Sequence, residues 1–161
     1  GADVHHYLLE QANAKSLKVF YLGAAQNTLD LIQKRIGIEY PNIKVSSFSP
    51  PFKSEFSNED TLEMLEKVNA FQSDILFVGM TAPKQEKWVF ENQKQINANI
   101  IASIGAVFDF YAGTVKRSGP IWIKLGLEWL PRLLRDPKRL WKRNFISTPL
   151  FLWDVLKAKW S

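Results

Sequence analysis

The chain has 161 residues, 46% of them hydrophobic, which is enough apolar material to bury one substantial core. The absence of cysteine excludes disulfides and thiolate metal sites, and it fits a reducing compartment such as the cytosol. The net charge of +5 is divided unevenly: residues 1–115 carry 10 Lys/Arg against 13 Asp/Glu, whereas residues 116–161 carry 11 against 3 and five of the six tryptophans. This division predicts a mildly acidic body, 1–115, followed by a basic, tryptophan-rich C-terminal appendage, 116–161.

Strands and helices alternate along the body. Short apolar runs rich in β-branched and aromatic residues predict strands at 17–22, 43–48, 74–78 and 99–104, and the segments between them have helical spacing, as does 3–14. The first helix has its apolar spacing at Val4, Tyr7, Leu8 and Ala12, and the second at Leu29, Ile32 and Ile36. The third has a predicted buried face of Leu62, Leu65, Val68 and Phe71. Ser57, three residues before Asp60, predicts a helix start. The alternation predicts a Rossmann-like parallel sheet with flanking helices.

Glycines stand at three predicted strand ends: Gly23, Gly79 and Gly105. In an open parallel sheet these ends would lie along one edge, where ligands bind. The turn at Gly23 lacks the full G-x-G-x-x-G spacing and is weak evidence for phosphate binding alone. After the second strand, two prolines could hold Phe52 against a nucleotide base, although simple packing of the ring is the commoner alternative.

The segment Gly79–Trp88 is the most informative turn. Gly79, at its start, is expected to leave room for close backbone approach. Thr81 is predicted to cap the helix that follows, with Pro83 in its first turn. Gln85 and Glu86 then offer an amide and a carboxylate that could bind the hydroxyls and ring edge of a nucleotide sugar. An ordinary, well-capped strand-to-helix turn is the alternative from spacing alone.

Asp109 and the two histidines are the remaining polar candidates for a functional site. Asp109, between two phenylalanines, could be a hydrogen-bonded structural group, an acceptor for a sugar hydroxyl, or a second catalytic carboxylate, in that order. His5 and His6 are the only histidines, and because adjacent side chains point in different directions we expect no metal pair.

The C-terminal appendage has nine Lys/Arg between Lys116 and Arg143. Tryptophan prefers the headgroup layer of a membrane and basic residues are attracted to anionic lipid. No apolar run approaches the roughly 18–20 residues that span a bilayer, so an appendage bound to the membrane surface is one interpretation. A helix packed on the body with a solvated charged face is another, and nucleic-acid recognition signatures are absent. The candidate membrane-facing residues are Trp122, Lys124, Trp129, Lys138, Trp141, Lys142 and Trp153.

Three motifs, in this order, resemble the signatures of the WecG/TagA/CpsF glycosyltransferase family. Gly79–Trp88 resembles G-x-P-x-Q-E-x-W, with Ala82 before the proline. The second motif is 105–113, GAVFDFYAG, followed by Lys116-Arg117. The third is 126–130, GLEWL, with Arg132-Leu133, Asp136-Pro137 and Arg139-Leu140 after it. Each is weak alone, and the order and spacing of all three make the resemblance specific.

The resemblance implies an inverting hexosyltransferase without a cofactor or required metal, and an Asp-x-Asp metal motif is absent. Such enzymes move an N-acetylmannosamine-type sugar from a UDP donor to a polyprenyl-diphosphate-linked acceptor, in the synthesis of teichoic acid, capsule or exopolysaccharide. They work as peripheral proteins on the inner face of the bacterial plasma membrane, and a homo-oligomer is possible. The expected donor site comprises Gly23, Phe52, Gly79, Thr81, Gln85, Glu86, Gly105, Ala106 and Arg117, and the expected diphosphate contacts are Arg132, Arg139 and Arg143.

Family members carry a further N-terminal segment that holds the aspartate proposed as general base. We therefore expect that base upstream of Gly1, with Asp109 the first catalytic candidate within the chain. The alternatives to a transferase are a non-catalytic UDP-sugar-binding fragment and a membrane-docking module. Binding of UDP-sugar without turnover would indicate the fragment, and lipid binding without nucleotide binding would indicate the docking module.

Overall fold

The computed structural model describes residues 1–115. Arg117, the three arginines predicted to contact diphosphate and the seven predicted membrane-facing residues lie outside the described residues. The described elements are α1 (Ala2–Ala14), β1 (Lys18–Gly23), α2 (Gln26–Glu39), β2 (Lys44–Phe48), α3 (Asn58–Phe71), β3 (Ile75–Gly79), α4 (Lys84–Asn92), β4 (Ile100–Ser103) and α5 (Val107–Ala112).

The four strands form one parallel sheet in the order β2-β1-β3-β4. The predicted α/β fold with a parallel sheet and flanking helices is therefore confirmed for the body. Each strand begins one residue later than the sequence predicts, and β1 and β3 end on the paired glycines Gly23 and Gly79. Because all strands are parallel, the loops that follow them lie at one edge of the sheet, as predicted.

Both faces of the sheet are covered. Val19, Tyr21, Ile75 and Phe77 belong to the core cluster shared with α1, α2 and α5, whereas Phe20, Leu22, Leu76 and Val78 belong to the cluster shared with α3 and α4. Neighbouring strand residues point to opposite faces, so burial on both sides requires the continuous apolar runs seen in the sequence.

In two helices the apolar positions read from the sequence are only partly buried. In α1, Val4 and Tyr7 are exposed, and the buried residues are His5, Leu9 and Ala12. A polar residue, His5, takes a core position because the Tyr21 hydroxyl gives it a partner 2.7 Å from Nε2.

In α3, Leu62 is exposed, while Met64 is buried beside Leu65 and Val68. The buried face of α3 therefore lies further around the helix than predicted, because contact with the sheet decides which apolar residues are covered. The predicted helix α2 is confirmed, and its apolar positions Leu29, Ile32 and Ile36 are all buried. The start of α3 is also confirmed, because Ser57 and Asp60 form a reciprocal capping box.

Candidate functional site

The candidate site lies where the direction of the chain through the sheet reverses. From β1 the chain passes through α2 to β2 on one side, and then through α3 to β3 on the other side of β1. Right-handed crossovers in opposite directions put α2 and α3 on opposite faces, which leaves a crevice at the carboxyl ends of β1 and β3. Gly23 and Gly79 are register partners at this point.

Gly23 is required by the close approach of the two strand ends. Its φ is +114°, and a Cβ atom placed on it would lie 2.5 Å from the carbonyl oxygen of Gly79. The same oxygen accepts a hydrogen bond of 3.0 Å from the N–H of Ala24. Only glycine allows this conformation and this backbone contact together.

Gly79 meets a different neighbour from the one that its sequence position suggested. The expectation was room for close backbone approach, but a Cβ atom on Gly79 would lie 2.5 Å from Cδ2 of Phe108. Phe108 is fully buried in α5, with its ring centroid 5.1 Å from that of Tyr21. Because Gly79 has no side chain, the Phe108 ring that packs α5 against the sheet fits beside it. A direct contact between Gly79 and a ligand stays a prediction.

Gln85 is buried, and both ends of its amide are used. Its Oε1 accepts from the backbone N–H of Met80 at 3.2 Å, and its Nε2 donates to Oε1 of Glu86 at 2.7 Å. Gly105, with φ of +47°, lies beside this amide, since a Cβ atom there would be 3.5 Å from Nε2 of Gln85. Gln85 therefore ties the loop after β3 together and orients Glu86, whose side chain is exposed.

The predicted helix cap at Thr81 is wrong. The N-cap of α4 is Pro83, and no side-chain oxygen caps the helix. Thr81 instead contributes its backbone carbonyl, which accepts from the N–H of Lys84 at 2.9 Å. The reason is that the helix begins later than predicted, so Thr81 lies in the preceding turn, where its side chain is exposed.

The loop between β2 and α3 is joined to both neighbouring loops. The Ser49 hydroxyl donates to the carbonyl of Ala24 at 2.7 Å, and Nζ of Lys84 donates to the carbonyl of Lys53 at 2.7 Å. Lys53 in turn pairs with Asp60 at 2.8 Å, and this ammonium, with the N–H of Ser57, holds the pKa of Asp60 below its ordinary value.

Phe52, in the same loop, is fully exposed. The ammonium of Lys84 lies 6.0 Å from the centroid of this ring and 4.3 Å from that of Phe56. Because the ring is exposed, Phe52 is not simply packed on the body, which is the commoner role of such a residue. Sequence analysis missed Lys84, whose only signal was its place within the Gly79–Trp88 motif.

Asp109 and Ala106 lie at the carboxyl end of β4, in and before α5. The Thr114 hydroxyl donates to Oδ1 of Asp109 at 3.3 Å and to its backbone carbonyl at 3.2 Å. Asp109 thus has a hydrogen-bond partner within the body, as expected of a structural group, and its role in catalysis or sugar binding stays a prediction. Ala106 is the exposed N-cap of α5. The amino end of α1 lies at the same edge, because a Cβ atom on Gly1 would be 3.2 Å from Cγ2 of Val107.

A buried polar pair fixes α1 beneath this edge. His5 bonds to the Tyr21 hydroxyl and makes edge-on ring contacts with Phe77 and Tyr111. Burial lowers the pKa of His5 to about 4, with smaller contributions from His6 and Arg35, and burial raises the pKa of Tyr21. Sequence patterns missed this pair because a histidine in α1 carries no signal for a partner in β1.

Two further properties concern residues 1–115. None of the helices there is long and apolar enough to cross a bilayer. Within the same range, no three or more His, Cys, Asp or Glu side chains gather closely enough to hold a metal ion.

Comparison with known proteins adds a family and named relatives. Residues 1–161 match the Glycosyl transferase WecG/TagA/CpsF family. Proteins from Staphylococcus aureus strains MW2, NCTC 8325 and MRSA252 are each 31% identical over 159 residues, and each is named N-acetylglucosaminyldiphosphoundecaprenol N-acetyl-beta-D-mannosaminyltransferase. The alignment covers 99% of this chain and 60% of each relative, so the chain spans less than two thirds of their length.

Proposed function

The chain belongs to the WecG/TagA/CpsF family of glycosyl transferases, and from this premise we propose that it forms the donor-binding part of a hexosyltransferase. The proposed donor is a UDP-linked N-acetylmannosamine, and the proposed acceptor is N-acetylglucosamine linked to a polyprenyl diphosphate, as in the names of the S. aureus relatives. The product would serve the synthesis of teichoic acid or a related surface polysaccharide.

The observation that carries this proposal is the meeting of Gly23 and Gly79 at the reversal point of the sheet. In open α/β sheets nucleotides bind at that point. Two side chains reach this edge with suitable chemistry, since Glu86 offers an oriented carboxylate for sugar hydroxyls and Phe52 offers an exposed ring for the base. Gly105, which precedes Ala106 at the end of β4, lies beside the amide of Gln85.

Chemistry at the anomeric carbon needs a base for the acceptor hydroxyl and stabilisation of the departing UDP. The resemblance implies that family members hold this base on a further N-terminal segment, and Asp109 is the first candidate within the chain. Gly1 adjoins Val107 at the edge that carries the Gly105 loop. Stabilisation of the leaving diphosphate is assigned to Arg132, Arg139 and Arg143 of the appendage, because guanidinium groups bind phosphate in a bidentate manner.

The donor site is tested by isothermal titration of the 161-residue chain with UDP-N-acetylmannosamine. We expect saturable binding that Glu86→Gln weakens about 10- to 100-fold, because a charge-assisted hydrogen bond contributes about 1.5–3 kcal/mol. Glu91→Gln is the matched control: the same change, on the same helix, at another exposed carboxylate. Equal affinities of the two variants would remove Glu86 from the site.

Transfer is measured with the same donor and a polyprenyl-diphosphate N-acetylglucosamine acceptor. We expect the chain to transfer little sugar by itself, because loss of a positioned base typically costs about 10²–10⁴ in rate. Donor binding without transfer would support the alternative of a non-catalytic donor-binding fragment. Transfer at the rate of a full-length relative would show that the base lies within residues 1–161.

The appendage is proposed to hold the protein on an anionic membrane surface. Residues 116–161 carry 11 Lys/Arg against 3 Asp/Glu, and each basic residue near anionic lipid contributes about 1 kcal/mol. Co-sedimentation with anionic and neutral vesicles over a salt series tests this against a version that ends at Lys116. We expect the 161-residue chain, but not the shortened version, to bind anionic vesicles in a salt-sensitive manner. Equal sedimentation of both versions would refute the proposal.

A further inference from the structure

Lys84 is a cation whose charge no carboxylate neutralises within residues 1–115. The ion pairs there join His6 to Glu10, Arg35 to Glu39 and Lys53 to Asp60, and none includes Lys84. Its ammonium instead donates to the carbonyl of Lys53 and lies over the ring of Phe56. These neutral partners attract a cation, but they leave its full positive charge at the edge of the sheet.

The position of this charge is set by two loops. Lys84 is the first residue of α4, in the connection that follows β3, whereas Lys53, Phe52 and Phe56 belong to the connection that follows β2. Strands β2 and β3 are not neighbours, because β1 lies between them. The hydrogen bond from Lys84 thus joins the two loops that flank the carboxyl end of β1, beside the reversal point.

The donor chemistry of the ammonium is only partly used. An ammonium has three N–H donors and no acceptor, and one donor is taken by the carbonyl of Lys53. The half-buried side chain could give the others to an anion that enters from the crevice. The exposed ring of Phe52, 6.0 Å away, is an apolar plane beside this cation. A cation next to an aromatic plane suits a ligand that has both a phosphate and a flat base.

We propose that Lys84 binds a phosphate of the donor nucleotide and, through the same ammonium, holds the loop that places Phe52 against the base. This rests on the proposed function, which supplies the nucleotide, and it assigns a phosphate ligand within the body of the protein. One negative charge of the nucleotide is then offset in the crevice, and the β2–α3 loop is held in position while the donor is bound.

The test compares the binding of UDP and of uridine to the 161-residue chain by isothermal titration at low salt. Lys84→Met removes the charge and keeps an apolar stem, so we expect UDP affinity to fall about 10- to 100-fold, the usual loss for a charged hydrogen bond. Uridine affinity should fall much less, because uridine has no phosphate. Lys87→Met is the matched control, since Lys87 is an exposed lysine three residues later in the same helix, and it should leave both affinities near those of the wild type.

Two other variants separate the two roles of Lys84. Phe52→Ala should weaken UDP and uridine alike, by about tenfold, because stacking of one base contributes about 1–3 kcal/mol. Lys84→Arg keeps a charge and donors, so it should restore most of the UDP affinity that Lys84→Met loses. Circular dichroism of each variant confirms that it is folded, and Lys84→Gln replaces Lys84→Met if the methionine variant is not.

The outcomes distinguish this inference from the function on which it rests. If the wild-type chain binds no UDP, the donor site itself is refuted, and the assignment of Lys84 with it. If the wild type binds UDP but Lys84→Met behaves as Lys87→Met does, the donor site stands and Lys84 is not its phosphate ligand. An equal loss of UDP and uridine affinity in Lys84→Met would leave only the loop-holding role and would refute phosphate binding.

Discussion

The contact between Gly79 and Phe108 predicts a substitution that should damage the fold by adding one methyl group. In Gly79→Ala the new Cβ atom would lie 2.5–2.6 Å from three ring carbons of Phe108. Contacts this short cannot persist, so the ring or the end of β3 must shift. Phe108 is fully buried and packs on Tyr21, which leaves the ring little room to move.

The expected magnitude follows from two opposing terms. Overpacking a filled core costs about 1–3 kcal/mol. Replacing glycine by alanine returns about 0.4–1 kcal/mol by restricting the unfolded chain, and Gly79 has no positive φ that would cancel this gain. We therefore expect Gly79→Ala to lower the free energy of unfolding by about 1–2 kcal/mol, and Tm by about 2–8 °C.

Gly37→Ala provides the matched control. Gly37 is exposed within α2, and a Cβ atom there would meet nothing within 4 Å. The same chemical change should stabilise the protein by about 0.5–1 kcal/mol, because glycine is a poor helix former. Urea denaturation followed by circular dichroism compares both variants with the wild type without ligand.

A double-substitution cycle identifies the ring as the cause. In a Phe108→Leu background the shorter side chain should leave space for the methyl group, so Gly79→Ala should cost less there than in the wild type. If Gly79→Ala proves as stable as Gly37→Ala, or costs the same in both backgrounds, the packing account of Gly79 is refuted.

Three further predictions concern the same edge and the core beneath it. Gly23→Ala should cost about 2–3 kcal/mol, more than Gly79→Ala, because φ is +114° and the clash is with a backbone oxygen; an unchanged urea midpoint would contradict this. The pKa of His5 is about 4 in the folded protein and 6.5 in the unfolded chain, so between pH 6.5 and pH 4 only the unfolded chain binds a proton at His5. The free energy of unfolding should therefore be highest above pH 6.5 and should fall by up to about 3 kcal/mol as the pH approaches 4. His5→Gln should lose much of that dependence in pH-resolved urea denaturation, and an unchanged slope would refute the assignment. Asp109→Asn should change stability by less than about 1 kcal/mol, since the amide oxygen can still accept from Thr114; a loss of transfer above about 10²-fold in a protein that carries the base would instead give Asp109 a catalytic role.

The candidate site could be predicted only in outline. The strand-to-helix turns were visible because apolar runs stop at Gly23 and Gly79, and parallel strands bring such ends to one edge. The amide of Gln85 was found, but as a possible ligand rather than as the group that holds Met80 and orients Glu86. Which polar atoms a side chain satisfies depends on distances of a few tenths of an ångström, which spacing does not provide.

By itself the sequence determined the α/β class, the parallel sheet, the helical spacing of α2 and the start of α3 at Ser57. These features depend on local periodicity and on residues within one or two turns of each other. The three motifs identified the family for the same reason, because they are read along the chain. The predictions on residues 116–161 depend on composition and resemblance in the same way.

Tertiary structure alone decided the rest. It placed His5 in the core against Tyr21, turned α3 so that Leu62 is exposed, and put the ring of Phe108 over Gly79. It also brought Lys84 to the carbonyl of Lys53, 31 residues earlier in the chain. Each of these contacts joins elements that are distant in sequence, and packing against the sheet selects among faces and rotamers that local patterns leave nearly equal in free energy.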